Sequence, residues 1–208
     1  MIIRKAIPKD AQAIATLLLL AMEEIVYHFI GEKSYKKATQ FLVNLIEKQA
    51  NQYSYENCWV VEMESKVVAV ALVYNGANLQ ALRAPVAQEV KLMFNRDFNP
   101  EDETQAGEYY IDSIGVSPQQ QGKGLGSKLF QFIMDEYVSK RGGTLGLLVD
   151  KENPHAKKLY VRLGFEVAGE KTLAGKKMEH LQFAGYSKIS PTLISNPCKT
   201  ETGVWKKV

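Results

Sequence analysis

From Ile114 to Ser127 the chain reads Ile-Gly-Val-Ser-Pro-Gln-Gln-Gln-Gly-Lys-Gly-Leu-Gly-Ser, and no other stretch limits the possible folds so much. Before it, Tyr109 to Val116 is rich in β-branched and aromatic residues and reads as a strand. After it, Leu125, Leu129, Ile133 and Tyr137 recur at helical spacing. Glycines at 122, 124 and 126 therefore stand where a strand hands over to a helix, a place where the backbone must turn tightly or be approached closely. Gly142-Gly143 stops that helix. Leu145 to Val149 is then a near-continuous apolar run, as in a strand covered on both faces. A strand-turn-helix-strand unit of this kind builds a mixed α/β domain.

The remaining patterns fit around that unit. Met1 to Ala6 reads as a first strand, and Pro8 and Asp10 open a helix whose buried face carries Ile14, Leu18, Ala21 and Ile25. Gly31 ends it. Ser34 caps a second helix with Ala38, Leu42, Leu45 and Ile46 on one side. Trp59 to Met63 and Val67 to Tyr74 form a hairpin around Glu64-Ser65-Lys66. Residues 76–107 read as an irregular insertion with a helix only over Val86 to Phe94. Within 97–108 there are five acids and no lysine or arginine, which suits a solvated loop or an acidic lip for a cationic substrate. A short helix from Pro154 to Leu163 and a last hairpin around Ala174-Gly175-Lys176 complete one domain over 1–186, followed by a tail at 187–208.

The 208 residues suit one domain with an appendage, and 46% hydrophobic with 24% charged residues excludes a disordered or collagen-like chain. A net charge of +3 falls short of the basic stripe of a nucleic-acid binder, and Lys206-Lys207 is too short a run to change that. Cys58 and Cys198 are too few for a disulfide framework and favour a reducing compartment. The longest apolar run, Ala15 to Met22 apart from Thr16, is far short of the roughly 20 residues of a membrane span, and residues 1–10 show no secretory leader. A cytoplasmic protein without a membrane partner is expected.

Glycines at the start of a helix expose amides that have no intrahelical partner, and the helix dipole adds positive potential. The turn Gln121 to Ser127 is therefore suited to a phosphate or pyrophosphate, with Lys123 adding charge. The dinucleotide fingerprint G-x-G-x-x-G is not met, since the third glycine comes early, at Gly126. A nucleotide-triphosphate loop is not met either, because Ser117 stands where its first glycine belongs.

Two segments remain to be placed together. The turn fits Gln/Arg-x-x-Gly-x-Gly/Ala at Gln121, Gly124 and Gly126, and downstream lies Asn153-Pro154-His155-Ala156-Lys157-Lys158-Leu159-Tyr160-Val161-Arg162-Leu163-Gly164-Phe165. In this order, with a buried strand between them, they resemble the coenzyme-A signature of the GNAT superfamily of N-acetyltransferases. The match is strongest over residues 109–166, and the element order extends it from residue 1 to about 184. The resemblance implies a mixed, mostly antiparallel central sheet flanked by helices. It also implies transfer of an acetyl group from acetyl-CoA to a primary amine by direct attack through a tetrahedral intermediate, with no metal.

The resemblance further implies which residues do this. Gln121, Gly122, Lys123, Gly124, Leu125, Gly126 and Ser127 would hold the pyrophosphate. Backbone groups at Ile114 and Val116 would pair with the pantetheine arm, which lies between two splayed strands. An N–H near Ile114 would stabilise the oxyanion. Asn153 would bond the arm or simply cap its helix. Tyr160 would protonate the thiolate, a transfer uphill by about 2 kcal/mol from reference pKa values. As a core aromatic it would need no such role.

Candidates for the base are Asp112, placed by alternation on the face of Ile114 and Val116, and Glu108, each acting directly or through water. His28 is a further candidate. His155 reads as solvated, His180 has no evident partner, and the three histidines lack metal spacing. An acyl-CoA sensor would keep the turn without needing Tyr160 or a base. The resemblance implies a small-molecule or peptide amine as acceptor, and a homodimer is compatible with the sequence.

Overall fold

In the computed structural model, which describes residues 1–185, twelve principal elements alternate as the pattern requires. They are β1 (Ile2–Lys5), α1 (Ala11–Ile30), α2 (Tyr35–Ile46), β2 (Cys58–Met63), β3 (Lys66–Asn75), α3 (Leu79–Phe94), β4 (Tyr109–Val116), α4 (Leu125–Met134), β5 (Leu145–Asp150), α5 (Pro154–Arg162), β6 (Glu166–Leu173) and β7 (Lys176–Phe183). The tail, with Cys198 and the lysine pair, lies outside the described residues. The strands form one 7-stranded sheet in the order β1-β2-β3-β4-β5-β7-β6. Only β4 and β5 run parallel; the other neighbours are antiparallel. A doubly wound dinucleotide fold, whose sheet is mostly parallel, is thereby excluded.

Local chemistry sets the boundaries. Gly31 takes a left-handed conformation (φ 77°) and donates its N–H to Tyr27 O at 2.8 Å, closing α1. Ser34 Oγ accepts from Lys37 N at the start of α2. Glu64 and Ser65 both adopt positive φ, the conformation that a tight two-residue hairpin needs. The apolar face of α1, including Ile14, Leu18 and Val26, packs with Phe41, Leu42 and Leu45 of α2 on one side of the sheet. Leu129, Phe130 and Ile133 of α4 pack with Ile114, Val116 and Leu147 on the other. Cys58 is a buried, free thiol in the first of these cores, and burial pushes it up to about 12.

Two expectations change. The helical stretch Pro8–Ile30 spans 23 residues, long and apolar enough by length and composition to cross a membrane, although its longest apolar run does not suggest this; most of its apolar side chains are buried in this fold. The segment 76–107 is not irregular throughout. A 3-10 turn at Gly76–Asn78 leads into α3, which starts seven residues before the expected Val86 and carries Pro85 inside. Proline removes a backbone donor and disfavours a helix interior. Here Leu79, Val86 and Val90 are buried along one face and hold the helix through it.

Candidate active site

β4 and β5 are paired only at Tyr109–Leu145 and Tyr110–Gly146, and then part. On its other edge β4 stays paired with β3 up to Val116. Ser117 N donates to Val68 O at 2.8 Å. Antiparallel alternation then points the backbone groups of Gly115 at β3 and those of Ile114 and Val116 away from it, into the gap. Val116 O accepts from Gln121 Nε2 at 3.1 Å, which ties the turn to the strand end.

The gap ends at the turn. Gly122 (φ 75°) and Gly124 (φ 74°) are left-handed, and a Cβ on either would meet nothing within 4 Å, so the backbone there faces open space. Gly124 is the N-cap of α4 and offers no side-chain cap, which leaves the first-turn amides of Leu125, Gly126 and Ser127 for an outside acceptor. Lys123 Nζ lies 3.3 Å from Gln120 Oε1, at the surface. This is the geometry of an anion site at a helix N-terminus.

Tyr160 is 6% exposed and packs between Phe130 and Phe165, with ring centroids 5.8 and 6.1 Å away. It shares a core with Ile114, Val116, Leu147 and Val149, the strand residues bordering the gap. Burial pushes its phenol well up, so it is a neutral, protonated group. Asn153 caps α5, its Oδ1 accepting from Ala156 N at 3.1 Å. Its Nδ2 makes no hydrogen bond among the described residues and is available to a ligand acceptor.

Glu108 stands directly before β4, beside the central strand as expected, but Asp112 does not face the way alternation suggests. β4 is bulged: Leu72 pairs with Ser113 but Val73 with Ile111, so Asp112 is the extra residue. Ile111, Ile114 and Val116 therefore share the α4 face, and simple alternation fails for Asp112. Its carboxylate accepts from Gln52 Nε2 at 3.1 Å and from the Tyr74 hydroxyl at 3.3 Å. Glu108 is 2% exposed and accepts from Thr104 Oγ1 (2.6 Å) and Gln182 Nε2 (2.7 Å), with His180 Nε2 2.8 Å away. Burial alone would raise it, but these partners hold it below the ordinary carboxylate range.

His180 therefore has a partner that the sequence does not name. Its alternation with the buried Met178 marks it as inward-facing, and an inward histidine needs a partner, but Glu108 is 72 residues away. His28 and His155 are exposed.

The acidic stretch is solvated only in part: Asp97, Glu101 and Asp102 are exposed, whereas Glu103 and Glu108 are buried. Glu103 is 3% exposed and bound by Arg83, Tyr74 and Gln52; Asp102 also binds Arg83; Glu101 accepts from Ala174 N. These acids fasten the loop to α3, β3 and the last hairpin.

A cavity of about 930 Å³ lies between the second half of α1, the α1–α2 corner, the end of β5 and the β6–β7 hairpin. α1 breaks its helical geometry at Met22 (φ −133°, ψ 25°), on this wall. Leu173 and Met178 line the cavity and also pack with Tyr110 and Leu148, on the two strands that part.

Comparison with known proteins agrees with this arrangement. The model of the acetyltransferase (GNAT) family matches residues 22–165, well over half of the chain. A 5-NmdU N-acetyltransferase of Pseudomonas phage PaMx11 is 42% identical over 69 residues, 33% of this chain and 47% of that protein. A spermine/spermidine N(1)-acetyltransferase of Bacillus subtilis is 33% identical over 82 residues, 38% of this chain and 52% of that protein. The matched segments thus span about half the length of these curated relatives. A crystal structure described as that of an acetyltransferase superposes with a TM-score of 0.74 at 29% identity, over 88% of this chain and 98% of the other.

Proposed function

The chain belongs to the GNAT family of acetyltransferases, and on that premise we propose that it transfers an acetyl group from acetyl-CoA to a primary amine by direct attack. The observation that carries this reading is the parting of β4 from β5 after two residue pairs, with the Ile114 and Val116 backbone facing the gap and the uncapped α4 N-terminus at its end. The pyrophosphate would sit on the amides of residues 121–127, and the pantetheine arm would take the place of strand pairing along β4. Asn153 Nδ2 would bond the arm from the other side.

In the reaction the amine nitrogen attacks the thioester carbonyl carbon. A C–N bond forms and the carbonyl oxygen becomes an oxyanion, held by the Ile114 N–H; one such donor contributes roughly 3 kcal/mol. Collapse breaks the C–S bond. Tyr160 gives its proton to the departing thiolate and recovers one from solvent. The proton lost by the amine leaves through water. Asp112 and Glu108, both buried and already hydrogen-bonded, are assigned to that water-mediated route and not to direct contact with the amine. The acceptor would enter the cavity beside α1.

Thiol release from acetyl-CoA with a panel of primary amines tests the reading, with NAD and ATP as binding controls. Amine-dependent release, and binding of acetyl-CoA alone among the three, is expected. Tight binding without release for any amine would point to a sensor; preference for NAD or ATP would remove the reading altogether.

A further inference from the structure

The charges lining the cavity do not cancel evenly. Four acids and three permanent cations face it. Lys33 lies 3.6 Å from Glu24, Lys176 lies 3.4 Å from Asp150, and Glu32 is taken by Lys37 at 2.7 Å. Glu23 accepts from the uncharged Tyr27 hydroxyl at 2.7 Å. Arg96 is exposed and has no acidic partner among the described residues; its guanidinium lies over Gly31 at the α1–α2 corner, where a Cβ would fall 2.3 Å from Nη1. The wall thus presents one uncompensated cation, of the planar forked type that pairs with carboxylate and phosphate. Met22, Ile25, Leu173 and Met178 supply apolar lining, and Leu173 and Met178 pack with Tyr110 and Leu148 on the strands that part. The volume suits a small molecule.

We infer that the acceptor is a small amine carrying an anionic group, a carboxylate or a phosphate, and that Arg96 binds that group while the amine points inward along the apolar wall. This rests on the cavity being the acceptor site of the proposed reaction. The acids at 97–108 no longer argue for a polycation, because Arg83, Gln52 and the last hairpin occupy Glu101, Asp102 and Glu103. The uncompensated Glu23 carboxylate supplies the opposite end of a zwitterion's field.

The test compares matched amines: an alkylamine, the same chain ending in carboxylate, the same chain ending in phosphate, and spermidine. Each is assayed for binding by thermal shift in the presence of CoA and for thiol release with acetyl-CoA. The anionic members should bind and react best, and the two arms identify which anion is preferred. Arg96→Ala should lower kcat/KM for the preferred anionic amine by about tenfold to a hundredfold, the range for a charged hydrogen-bonded contact, and leave the alkylamine within about twofold. Arg96→Lys should fall between, since it keeps the charge and loses the fork. Equal response to the anionic and neutral amines, preference for spermidine, binding of neither, or insensitivity to Arg96→Ala overturns the inference. If acetyl-CoA itself fails to bind, the fault lies in the parent reading.

Discussion

Tyr160 shows how one residue serves two demands. Its ring fills the core between Phe130 and Phe165, and the same burial raises its phenol and keeps it protonated. The sequence poses these as alternatives, yet a general acid must hold its proton until the leaving group forms. Tyr160→Phe preserves the ring and removes the proton: kcat should fall about a hundredfold or more while acetyl-CoA affinity stays within about twofold. Unchanged turnover by stopped-flow thiol release would leave Tyr160 a packing residue. Glu108 carries a second residue-scale prediction. Its folded pKa lies below its ordinary value of 4.5, so its stabilising contribution is full above that value and disappears as pH falls through the folded pKa. Urea unfolding of the wild type and Glu108→Gln should differ at neutral pH and converge in acid. A gap that stays constant into strong acid would mean the carboxylate is not held ionised.

At the scale of elements, the apex of the gap depends on a crossing. Glu108 at the head of β4 reaches over β5 to His180 and Gln182 on β7, and β5 presents Gly146 beneath it. A Cβ at 146 would fall 2.1 Å from Glu108 Oε2. The carboxylate is held by three partners and cannot simply swing away. Gly146→Ala should cost about 1 to 3 kcal/mol, the usual range for overpacking, and the cost should shrink in a Glu108→Ala background. Additive effects in urea titrations would show that the two do not meet. The β4 bulge is the other element-scale feature. Alternation read from sequence assumes an unbroken period of two, and one extra residue at Asp112 reverses the face of everything before it. No local signal marks the bulge, because it is set by pairing with β3. The early start of α3 escapes for a similar reason: a proline disfavours a helix interior, and only the burial of Leu79, Val86 and Val90 carries α3 through Pro85.

Over the whole molecule, ligand binding should appear as stability. Acetyl-CoA at about a hundred times its Kd adds about 2.7 kcal/mol if only the folded state binds. For a chain of this size that is a rise in Tm of roughly 5 to 11 °C. Calorimetry should find it for acetyl-CoA and not for NAD. No rise with acetyl-CoA at saturating concentration would count against a preformed gap.

By itself the sequence determined the strand-to-helix turn at 121–127, the order of most elements and the family signature, because each depends on residues close along the chain: glycine's freedom at a turn, a cap, a hydrophobic period. The tertiary structure decided which edge of β4 is left open, where Asp112 points, that His180 meets Glu108, and that the acids at 101–103 are engaged by Arg83, Gln52 and the last hairpin. Those outcomes depend on groups tens of residues apart, brought together by strand pairing and by burial in two cores, and no local pattern encodes them.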